Sequence, residues 1–401
     1  MKEFDVAVVG GGPSGSTAAL ALARAGLTVA IVEKAAFPRR KVCGEFISAT
    51  TWPLLRRLGV ARRLLAVAGP PVRRVGFDAG EAMVQAPMPA PEERDAWGHA
   101  VGRETLDTEL MEAAMRSGAH AWQPWAVHEC VDERDRWRIA LDGPRGDRAE
   151  LRARIVVAAH GSWEHGRALA TQPARTAPRD DDLIGFKAHF RGSRLPGDSM
   201  PLVLFPGGYG GLVTSEGWRT SFSCCIRRDQ LAACRAAYEA PTAGDAVLAH
   251  AMASCRGLRD ALEGAERDGP WLGAGPIRPG IRTLARGRLF AVGNAAGEAH
   301  PLVAEGISMA IQSGWLLAAR LAEAKGLDEG ALASARSGYA HDWRAQFAAR
   351  IHASQAFAAM ALVPALQRAA ESVVPRIPSL LTWGARRSGK AMALRSQGGA
   401  Q

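Results

Sequence analysis

The sequence predicts an α/β fold, in which a three-layer domain built on a parallel sheet is interrupted by a β-rich unit and followed by a helical C-terminal region. Three observations carry this. A strand–turn–helix–strand unit, "VAVVGGGPSGSTAALALARAGLTVAIVEK", runs from Val6 to Lys34. A second strand–turn–helix unit, "GRLFAVGNAAGEAHPLVAEGISMAIQSG", starts at Gly287. Between them, residues 182–227 alternate short strands with glycine turns in "LIGFKAHF", "PLVLFPGGYGGLVT" and "WRTSFSCCI".

In the first unit, Val6–Val9 is a β-branched apolar run of the kind buried on both faces of a parallel sheet. Gly10, Gly12 and Gly15 fit G-x-G-x-x-G, with Pro13 and Ser14 inside the motif where the helix begins. The first glycine makes the tight turn. The second lets a pyrophosphate approach the backbone, and the third lets helix and strand pack closely. The alanine-rich run to Arg24 favours helix, and Gly26 ends it. The free N–H groups at that helix start suit a pyrophosphate. Thr28–Val32 is the second strand, and Glu33 at its end, next to Lys34, is placed to accept hydrogen bonds from ribose hydroxyls. The unit is Rossmann-like and implies a dinucleotide. The pattern alone does not separate FAD from NAD.

Further along, "GRETLDTELMEAAMRSGAHA" has apolar residues at helical spacing and predicts a helix from about Thr105. "AVHECVDERDRWRIALDG" alternates like a hairpin, and "LRARIVVAAHG" is another buried strand. Helical material is expected from Asp229 to about Glu263, then a long helix in "AEGISMAIQSGWLLAARLAEAKG" and a helical tail broken at Pro364, Pro375 and Pro378. The dinucleotide domain is therefore expected to be discontinuous, over 1–75, 97–180 and 275–330. A substrate domain takes 76–96 and 181–274, and a helical cap takes 331–401.

Composition narrows the function. The net charge is +10, and residues 331–401 hold nine Lys/Arg against two Asp/Glu. The basic tail reads either as a solvated helical cap or as a contact with an anionic, lipid-like surface. It lacks the interleaved aromatic platform of a nucleic-acid binder, so nucleic acid is not expected as a partner. None of the six cysteines forms C-x-x-C, which argues against metal and dithiol sites. "MKEFD" leads straight into a strand, so no signal peptide is expected, and the tail run "AFAAMALVPAL" is too short to span a bilayer. A reduced, cytoplasmic protein is expected, peripheral to the membrane if the tail faces lipid.

Four stretches together resemble the FAD-dependent oxidoreductases built on the p-hydroxybenzoate-hydroxylase plan, a superfamily of aromatic monooxygenases, flavin halogenases and geranylgeranyl-reductase-like enzymes. They are the glycine motif with Glu33, "FPRRKVCGEFIS" from Phe37 to Ser48, "GRETLD" and the unit from Gly287. The resemblance implies FAD as the cofactor. It places Arg103 beside the FAD and puts Cys43, read as a small buried thiol, and Gly44 in the flavin pocket. It also assigns Asn294, Gly297, Pro301, Gly306 and Ile307 to the second FAD fingerprint. There Asn294 replaces an aspartate that meets the ribityl chain, and Ala304 replaces a glycine. The helix start after Gly306 offers partial positive charge to a reduced, anionic flavin.

Departures from the family pattern bear on the reaction. His160 in "AAHGSW" stands where ring hydroxylases carry an Asp-Gly acid, and no second G-x-G-x-x-G follows a strand. NAD(P)H is thus expected as a transient visitor or replaced by a partner reductant. The halogenase W-x-W motif is missing, and Lys187 in "GFKAHF" reads as a solvated strand lysine. Tyr209 and His300 are the candidates to meet substrate, as phenol and as acid or base. The resemblance leads first to a monooxygenase hydroxylating an aromatic or polyketide-like small molecule of secondary metabolism. The alternatives are a reductase of carbon–carbon double bonds in a lipid-like substrate and a flavin electron-transfer protein.

Overall fold

The computed structural model describes residues 2–91, 96–162, 169, 177–324 and 326–390. The last eleven residues of the expected cap, 391–401, lie outside that set. The first half of the chain gives β1 (Lys2–Val9), α1 (Pro13–Arg24), β2 (Val29–Val32), β3 (Arg74–Ala79), β4 (Ala82–Pro87) and α2 (Arg103–Arg116). It continues with β5 (His120–Trp122), β6 (Ala126–Glu133), β7 (Arg136–Asp142) and β8 (Arg148–Ala158). The second half adds β9 (Leu183–Arg191), β10 (Ser199–Phe205), β11 (Gly208–Thr214), β12 (Thr220–Arg227) and helices α3 (Arg228–Ala237), α4 (Ala243–Ser254) and α5 (Arg256–Leu262). Then come β13 (Leu272–Ile277), β14 (Leu289–Ala291), α6 (Gly306–Glu323), α7 (Glu329–Leu362), α8 (Pro364–Val373) and α9 (Ser379–Ala385).

The first sheet runs β5-β2-β1-β8-β14 with all neighbours parallel, and the β6–β7 hairpin joins it antiparallel through β8. β1 begins at Lys2, four residues before its apolar run. Lys2, Glu3 and Phe4 pair with Leu151, Arg152 and Ala153, so strand pairing rather than hydrophobicity extends it. Strands from both ends of the chain thus lie side by side. α6 also crosses α1 closely, because a Cβ on Gly314 would come within 2.3 Å of the Ser14 carbonyl oxygen.

The second sheet runs β9-β12-β11-β10-β3-β4, with β13 on the free side of β9 and only the β10–β3 pair parallel. The period of two divides its residues. Phe186, Phe190, Val203, Phe205, Phe222 and Ile226 pack against α3–α5. The opposite face carries Leu183, Leu204, Tyr209 and Cys225, which cluster with Phe77, Ile277 and Ala361 of α7. This sheet draws on the two segments expected to form the substrate domain, and β3 and β13 overrun them by two and three residues. The C-terminal helices break at Pro364, where α7 and α8 meet at 93°. Among the described residues no single helix is long and apolar enough to cross a membrane.

Candidate active site

A cavity of about 1410 Å³ lies between the two sheets. Ordinary small-molecule pockets reach roughly 1,000 Å³, so this one has room for two occupants. One end is walled by Gly10, Gly12, Pro13, Ser14, Glu33, Lys34 and Arg103. The glycines differ in role as their spacing predicts. Gly10 has φ +111°, a left-handed conformation that glycine adopts at little cost. A Cβ on Gly15 would stand 1.9 Å from the Gly10 carbonyl oxygen, so Gly15 is a packing residue and lies outside the lining. Gly12 is open, its nearest neighbour being Arg103 Nη2 at 3.8 Å.

Glu33 is held from both sides. Its Oε2 accepts the Gly11 N–H at 2.8 Å, and its Oε1 accepts the Ala35 N–H at 2.9 Å. The buried Arg103 guanidinium is fixed by two 2.7 Å bonds to Asp107, one turn along α2. That charge balance leaves its remaining N–H groups at the cavity wall. Cys43 and Gly44 also line the cavity, but Cys43 is half-buried rather than enclosed.

The second motif supplies Asn294, Pro301, Ala304, Gly306 and Ile307 to the same wall. Asn294 donates from Nδ2 to Ser162 Oγ at 3.0 Å and to Glu298 Oε1 at 3.1 Å. Glu298, which sequence reasoning missed, is buried beside Arg282 Nη2 at 3.2 Å and returns a carboxyl to the neighbourhood where Asn294 has none. Burial pushes the Glu298 carboxyl up, against the opposing pull of Arg282. Glu305 is also buried. Its Oε1 lies 3.2 Å from Lys390 Nζ, and Lys390 donates to the Val303 carbonyl as well. The end of the described chain is therefore bonded to the loop before α6.

Three expectations are corrected. Gly297 does not face the cavity. A Cβ there would sit 2.5 Å from the Trp343 ring, so this glycine makes room for α7. His300 lies behind the wall, not on it. Its backbone N–H donates to Ser354 Oγ at 2.8 Å, and its Nδ1 meets Tyr209 Oη at 2.5 Å, so only Tyr209 faces the cavity. Lys187 is not a solvated strand lysine. It is 1% exposed and ion-paired with Glu45, whose other oxygen meets His189 Nε2 at 2.8 Å. Lys187 and His189 share the face of β9 that the 43–45 loop covers. Glu45 itself has φ +64° and lines the cavity.

Residues 3–189 match the FAD binding domain family. Over that stretch, a little under half of its length, the chain is similar to FAD-dependent oxidoreductases of the p-hydroxybenzoate-hydroxylase-like superfamily. It is 28% identical over 416 residues to digeranylgeranylglycerophospholipid reductase 2 of Methanopyrus kandleri, covering 95% of this chain and 98% of that one. It is 40% identical over 116 residues to menaquinone reductase of Mycolicibacterium smegmatis, covering 29% of this chain and 27% of that one. The match spans about a third of the length of several such curated relatives. The solved flavin-dependent brominase Bmp2 superposes with a TM-score of 0.78 at 19% identity, covering 99% of this chain and 96% of that one. At that identity the likeness is one of fold.

The residues present fit FAD. A Cβ on Gly44 or Gly306 would meet nothing within 4 Å, and Gly12 is nearly as open, so three glycines face empty cavity. α1 and α6 both begin without a side-chain cap or an acid in the first turn, which leaves their N–H groups for the diphosphate and the flavin ring. Ala304, where the family carries glycine, is held at φ +52°, ψ +39°. A left-handed alanine costs about 1–2 kcal/mol. Ala304→Gly is therefore expected to raise stability by about 1 kcal/mol, after the entropy that glycine adds to the unfolded chain. Urea unfolding measures it, and an unchanged midpoint would mean that the surroundings already absorb the strain.

Proposed function

We propose that this flavoprotein reduces a carbon–carbon double bond in a lipid-like substrate. The observation that carries the reading is the second arm of the cavity. Beyond the FAD cradle it continues between Phe77, Leu204, Ile277, Phe357, Ala370 and Leu381, beneath the C-terminal helices. An apolar arm of this kind rewards a long hydrocarbon, at about 25 cal/mol per Å² buried, and offers little to a small polar ring. The names of the relatives in Methanopyrus and Mycolicibacterium, both reductases acting on prenylated lipids or quinones, support the same class.

FAD held in the cradle would supply the electron pair, with NAD(P)H or a partner reductant as its source. The chain supplies position and a proton. Tyr209 Oη is a proton-bearing atom at the arm. Burial raises its pKa well above the ordinary phenol value, so it stays protonated. Burial lowers His300 to about 4, so its Nδ1 is free to accept from Oη. The pair is neutral, and Oη offers its proton to the arm when the hydroxyl turns away from His300. Tyr209→Phe is expected to lower turnover by about 100-fold, the low end for a general acid, while FAD stays bound. Stopped-flow oxidation of the reduced flavin by substrate, beside flavin absorbance, measures both. Wild-type rates in the variant would remove Tyr209 from the reaction.

Tyr209 also favours a second reading, hydroxylation of an aromatic or polyketide-like ring, because its Oη faces the cavity where it can hydrogen-bond a phenolic oxygen. Turnover without oxygen supports the reductase. Oxygen uptake stoichiometric with product supports the monooxygenase.

A further inference from the structure

We infer that the outer face of α8 and α9, with the end of α7, docks on a bilayer carrying anionic headgroups, and that the apolar arm opens onto it. This rests on the lipid-like substrate proposed above. Met360, Leu366, Val373, Leu380 and Trp383 line the cavity and are nevertheless 38–52% exposed, so they form its mouth. Val363 and Ile377, exposed by 44% and 48%, widen the apolar surface without lining the cavity.

The clustering is what distinguishes this surface. Of thirteen exposed large apolar side chains among the described residues, seven fall between 360 and 383. Single exposed apolar residues are ordinary, but a contiguous set marks an interaction site. Its charge names the partner. Arg368 on α8, Arg376 between α8 and α9, and Arg386 and Arg387 just after α9 are exposed, and Glu371 is the sole acid between 357 and 390. The Arg387 guanidinium lies 5.7 Å from the Trp383 ring, which joins a cation to an aromatic side chain suited to the headgroup level. Arginines around an apolar mouth match anionic headgroups above acyl chains. A lipid entering from that bilayer would reach the arm without crossing water. The tail then acts both as a cap over the cavity and as its door.

Co-sedimentation of the FAD-loaded protein with vesicles of phosphatidylcholine, alone or mixed with phosphatidylglycerol, tests this at low and physiological salt. Binding is expected to the mixed vesicles and to weaken with salt. Val363→Glu with Ile377→Glu should lower it by about tenfold or more. Arg376→Glu with Arg387→Glu should lower it by about fivefold per arginine removed. Flavin absorbance and thermal unfolding should be unchanged in all four substitutions. The assay needs no turnover, so a wrong assignment of the reaction leaves its result intact. Equal binding to both vesicles, or binding insensitive to these substitutions, overturns the inference. So does a dimer, seen by sedimentation velocity, that the same substitutions dissociate, because the surface would then cover a second copy of the chain.

Discussion

Lys187→Met is expected to destabilise the folded chain by about 3–5 kcal/mol, the usual cost of stripping a buried charge of its partner. Glu45 is completely buried in a left-handed turn, where Lys187 and His189 each meet one of its carboxylate oxygens. Burial alone would raise the Glu45 carboxyl. The His189 hydrogen bond and the Lys187 charge outweigh that and hold it at about 2. The folded value thus lies below the ordinary 4.5, so the cluster's stabilisation is present above about 4.5 and is lost as the pH falls toward 2. Urea unfolding at neutral pH measures the first effect and acid titration of the wild type the second. Adding Glu45→Gln to Lys187→Met removes both charges and should recover a substantial part of the loss. If the single variant is as stable as the wild type, the pair is not closed to water in solution.

Gly15→Ala is expected to cost 3 kcal/mol or more, at the upper end for overpacking, and to abolish FAD binding at micromolar concentrations. The added carbon would meet the Gly10 backbone oxygen at 1.9 Å and the Ala159 Cβ at 2.9 Å, and neither can move without opening the turn that would face the diphosphate. Gly306→Ala makes the contrast. Its Cβ would meet nothing, so the fold should be unharmed or slightly firmer, yet the methyl would occupy the cradle and weaken FAD. Isothermal titration of the apo proteins with FAD, beside urea unfolding, separates the two effects. Equal losses of stability in both variants would contradict this division of roles.

What the sequence revealed was what local pattern can encode. The β1–α1–β2 unit, the alternation that sorts the faces of the second sheet and the breaks at three prolines all follow from residues close together in the chain. The errors share a different origin. Lys187 sits in an alternating strand, and nothing near it announces that a loop 142 positions earlier covers its face. The family pattern puts Gly297 in the second FAD fingerprint and the sequence offers His300 to substrate, but α7 decides their surroundings, through Trp343 and Ser354. That helix lies beyond the four stretches that carry the resemblance. Glu45 was within the quoted loop, yet nothing local indicates that it, and not Gly44, takes the left-handed conformation.

The bond from Lys390 to Glu305 and Val303 has a consequence for the order of synthesis. Domains generally begin to fold while the ribosome is still extending the chain, N-terminal parts first. The glycine turn and Glu33 emerge early, whereas β14 and the start of α6 emerge near residues 290–306, and the lysine opposite Glu305 follows 85 residues later. Until then the Arg350 guanidinium, 3.9 Å from the other carboxylate oxygen, is the cation that the buried Glu305 can face. The nascent chain can therefore assemble the wall around the glycine turn long before it can close the wall that precedes α6. Closure of that wall is expected to be a late event, timed by the arrival of the tail.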